Sequence, residues 1–174
     1  MRHFRQVFHE VMEFTVVDAP FTCDDAPPRE LMRFLQQGND RFRSWLKFSN
    51  WEKSENLSPD CVYGLEESTK FIGDVLRKQG PFDGVLAFSQ GGIIWRHFYQ
   101  ITQMIDTESY KDQHGNPLFK IPEFMISVAS PVFPKMKFYY KGIEYLQVSQ
   151  PMFDFPSMHL NGSKDKYFEL CKCA

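Results

Sequence analysis

The sequence lacks any apolar run long enough to cross a bilayer. Its longest, such as Val85 to Phe88, falls far short of the roughly 20 residues a spanning helix needs. Charge of one sign is also missing, because 20 Lys+Arg face 22 Asp+Glu for a formal net charge of -2. No strong field therefore favours nucleic acid or an anionic membrane. Cysteine is sparse: Cys23, Cys61, Cys171 and Cys173 are too few and too scattered for a disulfide scaffold. Cys171-Lys172-Cys173 has no second Cys or His pair at a partner spacing, so neither a metal site nor a cofactor is expected. Repeats, low-complexity tracts and a basic or strongly apolar leader are absent too, and the chain reads as a soluble cytoplasmic protein.

What is present is enough for one core. In 174 residues, 43% are apolar and 16% aromatic, and one domain over 1–174 is expected. Phe4, Val7, Phe8 and Val11 stand at helical spacing, and Met12 to Val17 then reads as a strand stopped by Asp18-Ala19-Pro20. After Pro27-Pro28, the apolar positions Leu31, Phe34, Leu35, Phe42, Trp45 and Leu46 predict one or two helices broken near Gly38-Asn39. Leu65, Ile72, Val75 and Leu76 share a helical face that ends at Gly80-Pro81. Val85 to Phe88 predicts a strand buried on both faces of a parallel sheet, followed at once by the helical spacing of Ile94, Phe98, Ile101 and Ile105. Phe124 to Ala129 and Pro156 to Asn161 predict further strands, whereas Lys135 to Tyr145 has no sharp period. Alternating strands and helices indicate an α/β sheet. Lys135, Lys137 and Lys141 among Phe138, Tyr139 and Tyr140 form one short basic-aromatic run, which in an acidic chain reads as a solvated flank rather than a nucleic-acid surface.

The stretch with chemical content is Gly80 to Gly92, GPFDGVLAFSQGG. A serine held on a sharp strand-to-helix turn projects its hydroxyl, provided that small residues stand two before and two after it. Ala87 and Gly91 fill those places around Ser89, and Gly92 lets the helix start close to the sheet. The N–H of Gln90, at the helix start, is the natural first oxyanion donor. A nucleophilic serine needs a base and a carboxylate that orients it, in the chain order Ser, Asp or Glu, His. Asp165, just after the last predicted strand, is the candidate acid, and no histidine follows it. His97 lies eight residues into the helix after Ser89, about 12 Å along its axis. His159 reads as a structural imidazole in a strand, and His114 could serve only if its polar loop folded over the site.

These residues resemble the nucleophile region of the FSH serine hydrolases, which include the ovarian-cancer-associated esterases. The likeness extends to Val17-Asp18-Ala19-Pro20, Arg43-Ser44-Trp45, Tyr63 to Ser68, Ser127 to Phe133, Pro156 to Leu160 and Gly162 to Asp165. It implies an α/β-hydrolase-like three-layer sandwich with a mostly parallel sheet, Ser89 as nucleophile, Asp165 as triad acid, and a small-molecule ester of short or medium acyl chain as substrate. Members of that family begin with a further strand and a His-Gly loop and continue to a last strand and the catalytic His. The resemblance therefore implies a chain cut at both ends, nearly inactive alone. It leaves three readings: a hydrolase, a non-catalytic module that keeps the fold to bind an acyl ligand or a protein, and a hydrolase whose base comes from His114 or from another subunit. It also implies that the absent first strand would stand between Met12–Val17 and Val85–Phe88, leaving both without a neighbour.

Overall fold

The computed structural model describes residues 6–23, 42–48, 61–133, 137–146, 154–165 and 168–171. It is an α/β structure built on a three-stranded parallel sheet. In chain order the elements are β1 (Phe21–Thr22), β2 (Arg43–Ser44), β3 (Lys47–Phe48), β4 (Cys61–Tyr63), α1 (Leu65–Gln79), β5 (Gly84–Phe88) and α2 (Gln90–Gln100), then β6 (Phe124–Val128), β7 (Lys137–Tyr140), β8 (Ile143–Leu146), β9 (Ser157–Leu160) and α3 (Phe168–Cys171). The parallel sheet has the order β5-β6-β9, β1 pairs with β2, and β3-β4-β7-β8 form a mixed sheet. No described helix is long and apolar enough to cross a membrane.

Helix α1 forms where the periodicity predicts it. Leu65, Ile72 and Leu76 are buried, Glu66 and Glu67 sit in the first turn, and Arg77 and Lys78 in the last, so its charges oppose the helix dipole at both ends. The Gly80 N–H closes it on the Leu76 carbonyl at 3.0 Å. Helix α2 carries Ile93, Ile94 and Phe98 into the same core, and its last apolar residues pass into a π-helical turn at Ile101–Ile105. Phe98 stacks on Trp95 with centroids 5.2 Å apart and meets Phe119 at 5.6 Å.

The register aligns Ala87 with Ser127 and His159, and Phe88 with Val128 and Leu160. Side chains alternate across a strand, so Ala87, Met125 and Ser127 turn inward and are buried against the helices. Leu86, Phe88, Ile126, Val128, Met158 and Leu160 make the other face. Phe88, Met158 and Leu160 there are 57%, 56% and 46% exposed, so the described helices cover one face of the sheet.

Four expectations change. Val85–Phe88 was expected to be buried on both faces, yet only Ala87 is, and Phe88 is exposed on the face that no described helix covers. Met12–Val17 joins no ladder among the described residues, and Val11 and Val16 stand exposed: a β-branched run forms a strand only with a partner, and β5 has none described on its free edge. Phe42 to Leu46 is not helical. Arg43–Ser44 pairs with Phe21–Thr22, and the Trp45 and Leu46 N–H groups bind a side chain from α2 instead of their own chain. Lys135 to Tyr145 contains a hairpin that the lack of period concealed. Phe138 and Tyr140 are buried and Lys137 and Tyr139 exposed, and Lys141 and Gly142, at φ 49° and 75°, form its tight turn. Tyr140 and Lys141 both bind Asp106 at 2.7 Å, which ties this hairpin to the chain after α2. Residues 24–41, where the helices after Pro27-Pro28 were expected to begin, lie outside the described set.

His97 is completely buried on α2, with its ring against Phe138. Burial, then the charge of Arg96, holds its pKa well below the ordinary 6.5. The folded state thus refuses a proton that the unfolded chain accepts, and stability is lost as pH falls below about 6.5. The slope approaches about 1.4 kcal/mol per pH unit from this one group. Urea denaturation at pH 7.5, 6.5 and 5.5 should show that slope, and His97→Leu should remove it; an equal slope in the variant would assign it elsewhere.

Candidate active site

Strand β5 ends at Phe88 and α2 begins at Gln90, which leaves Ser89 alone to turn the chain. Its backbone sits at φ 51°, ψ -116°, outside the regions open to ordinary L-residues. The Ser89 N–H donates to the Val128 carbonyl at 2.8 Å, and the Gly92 N–H donates to the Ser89 carbonyl at 3.0 Å. Ala129, directly after β6, also has positive φ, at 48°, and its N–H binds the Leu160 carbonyl at 2.8 Å. Two strained non-glycine residues therefore mark the carboxyl ends of adjacent strands, which is where strain collects in functional sites.

Of the small residues around the turn, Ala87 is buried in the sheet. A Cβ on Gly91 would lie 3.8 Å from Trp45 Nε1 and 4.0 Å from the Ala87 Cβ, an ordinary contact. The crowded position is Gly92, where a Cβ would fall 2.3 Å from Ser130 Oγ and 2.6 Å from Ser130 Cβ. Gly92 is thus what brings α2 down against the chain following β6.

Asp165 lies half-buried in the turn after β9, its N–H donating to the Gly162 carbonyl at 3.0 Å. Since β6 separates β5 from β9, the strand tips that precede Ser89 and Asp165 stand about 10 Å apart on the same edge of the sheet. Among the described residues no histidine is hydrogen-bonded to Ser89. His159 points to the helix-covered side, with Nε2 3.3 Å from Ser157 Oγ, and His114 sits exposed in the 112–117 loop. Burial, then Arg96, lowers the pKa of His159.

Sequence reasoning assigned no role to two side chains of this region. The Gln90 carboxamide reaches across to Ser44–Leu46: its Oε1 accepts from the Trp45 N–H at 2.6 Å, the Ser44 hydroxyl at 3.1 Å and the Leu46 N–H at 3.2 Å, and its Nε2 donates to the Leu46 carbonyl at 2.9 Å. Arg96, 1% exposed, donates from Nη2 to the Pro131 carbonyl at 2.5 Å and to Ser130 Oγ at 3.3 Å. Burial lowers its pKa to about 10, against the opposing effect of Cys171, so it is still a cation at neutral pH. Cys171 is buried; burial and then the Asp165 carboxylate push its thiol up, and Arg96 works the other way. A polar residue inside an apolar helical period was the available signal for Arg96. Cys173 lies outside the described residues.

The sequence pattern of the family described as Serine hydrolase (FSH1) matches residues 1–172. The chain belongs to this family. Among curated relatives, it is 31% identical to Esterase OVCA2 of Bos taurus over 108 residues, which is 62% of this chain and 40% of that protein. The human Esterase OVCA2 gives 31% over 109 residues, with the same shares of 62% and 40%. Esterase C25G4.2 of Caenorhabditis elegans gives 29% over 130 residues, 73% of this chain and 51% of that protein. The chain thus spans about 40% of the length of the first of these relatives. No solved structure matches it significantly.

The close approach at Gly92 gives a direct check on how this FSH1 elbow is packed. Gly92→Ala should destabilise by about 1–3 kcal/mol, because the new methyl must displace buried Ser130. Gly91→Ala, in the same helical turn, should be neutral or stabilising by up to about 1 kcal/mol. Equal midpoints for Gly92→Ala and wild type in urea denaturation would contradict the packing.

Proposed function

We propose that this FSH1 chain is a carboxylesterase-like hydrolase of short- or medium-chain acyl esters, with Ser89 as nucleophile, Asp165 as triad acid and the Gln90 N–H as an oxyanion donor. The observation that carries the reading is the strained backbone of Ser89 between a parallel strand and a helix N-terminus. In the reaction, Ser89 Oγ bonds to the acyl carbon while its proton passes to a base that Asp165 orients. Negative charge then develops on the former carbonyl oxygen, where N–H groups at the helix start stabilise it. The alcohol leaves with a proton, and water releases the acyl group as the acid. The esterase names of the relatives support this class of substrate. Cys23 and Cys171 are free thiols, which fits a reducing compartment such as the cytoplasm.

A second reading, a hydrolase-fold module that binds an acyl ligand without turning it over, draws on the lack of any hydrogen bond from a described histidine to Ser89. Fluorophosphonate labelling separates the two. A covalent adduct mapped to Ser89, and abolished in Ser89→Ala, supports the hydrolase. A folded protein left unlabelled supports the binding module.

A further inference from the structure

Trp45 and Leu46 lie between two short strands, β2 and β3, and their conformation is held mainly by side chains distant in sequence. Gln90 binds the Trp45 N–H and both backbone polar groups of Leu46, and Ser68 of α1 donates its hydroxyl to the Trp45 carbonyl at 2.5 Å. Every backbone donor and acceptor of Trp45 and Leu46 is thereby engaged; Gln90 binds three of these four groups, and the Ser44 hydroxyl also donates to the Leu46 carbonyl at 2.5 Å. Leu46 is buried below, and the Trp45 indole lies with Phe71 at 6.1 Å and its Nε1 over Gly91, two residues beyond Ser89. One side chain thus fixes the indole relative to the turn.

We propose that the Gln90 carboxamide is a positioning group that holds Trp45 as a wall beside Ser89, and that this wall sets the length of acyl chain the site accepts. The inference rests on Ser89 being the nucleophile. Glutamine suits the task because it offers an acceptor and a donor in one plane, matching the N–H groups and the carbonyl of Trp45 and Leu46. Methionine has similar length but supplies neither. Gly91 leaves the space beneath the indole free of a side chain, so the wall stands against bare helix backbone.

The test uses the full chain with two fluorophosphonates, one carrying a butyl and one a dodecyl group, and reads the ratio of their labelling rates at Ser89. A ratio cancels any change in serine reactivity common to both probes. Wild type should favour the butyl probe, and both Gln90→Met and Trp45→Ala should shift the ratio toward dodecyl by about tenfold, the scale on which an apolar pocket discriminates. Hydrogen exchange should show the Trp45 and Leu46 amides losing protection in Gln90→Met while those of Leu86 and Ile126 keep theirs. Labelled variants with the wild-type ratio would overturn the wall while leaving the nucleophile standing. Unchanged protection at Trp45 and Leu46 would overturn the clamp whether or not Ser89 reacts. A wild type that neither probe labels would overturn the nucleophile and this inference with it.

Discussion

A parallel strand that enters a helix through one residue forces that residue's backbone out of the conformations open to L-amino acids. Ser89 bears this constraint at φ 51°, ψ -116°. Such a residue costs on the order of 1–3 kcal/mol, and a single hydrogen bond returns only about 0.5–1.5 kcal/mol. One contact could not hold the turn. The bond from Ser89 to Val128, the bare approach of Gly92 to Ser130 and the apolar seat of α2 must act together.

Helix α2 is consequently held on two sides by polar side chains of opposite character. Gln90, at its start, binds the neutral backbone of Trp45 and Leu46. Arg96, farther along, binds the Pro131 carbonyl and keeps a charge inside the protein. Its neighbour His97 meets the same burial by staying neutral. The charged form of each faces a desolvation penalty; the guanidinium keeps its proton because its ordinary pKa is six units higher. The chain after β6 is thereby tied to the helix that Ser89 caps.

Much of this could be read from the residues in order, and the limits have a physical pattern. Helix α1, strand β5 and helix α2 are legible because their apolar spacing and their punctuation by Gly80, Ser89 and Gly92 are local. Met12–Val17 carries a strand's composition without a strand's pairing, because strand formation depends on a neighbour that its own sequence does not encode. Phe42–Leu46 departs from its helical spacing because the Trp45 and Leu46 amides are bound by Gln90, some 44 residues away. The β7–β8 hairpin had a usable signal in Lys141-Gly142, hidden by aromatic residues on both faces. In the site, the turn at Ser89 was visible as a motif, whereas the reach of the Gln90 carboxamide could only come from the folded chain.

The most direct measurement of the account compares the stabilities of Ser89→Gly and Ser89→Ala by denaturant unfolding. Both variants lack the hydroxyl, so the comparison sets the relief of strain at positive φ against the extra backbone freedom that glycine loses on folding. With φ held at 51°, the glycine variant should be the more stable by about 1 kcal/mol or more. An alanine variant that is equally stable, or more stable, would place residue 89 in ordinary backbone and contradict the strained turn on which the site is built.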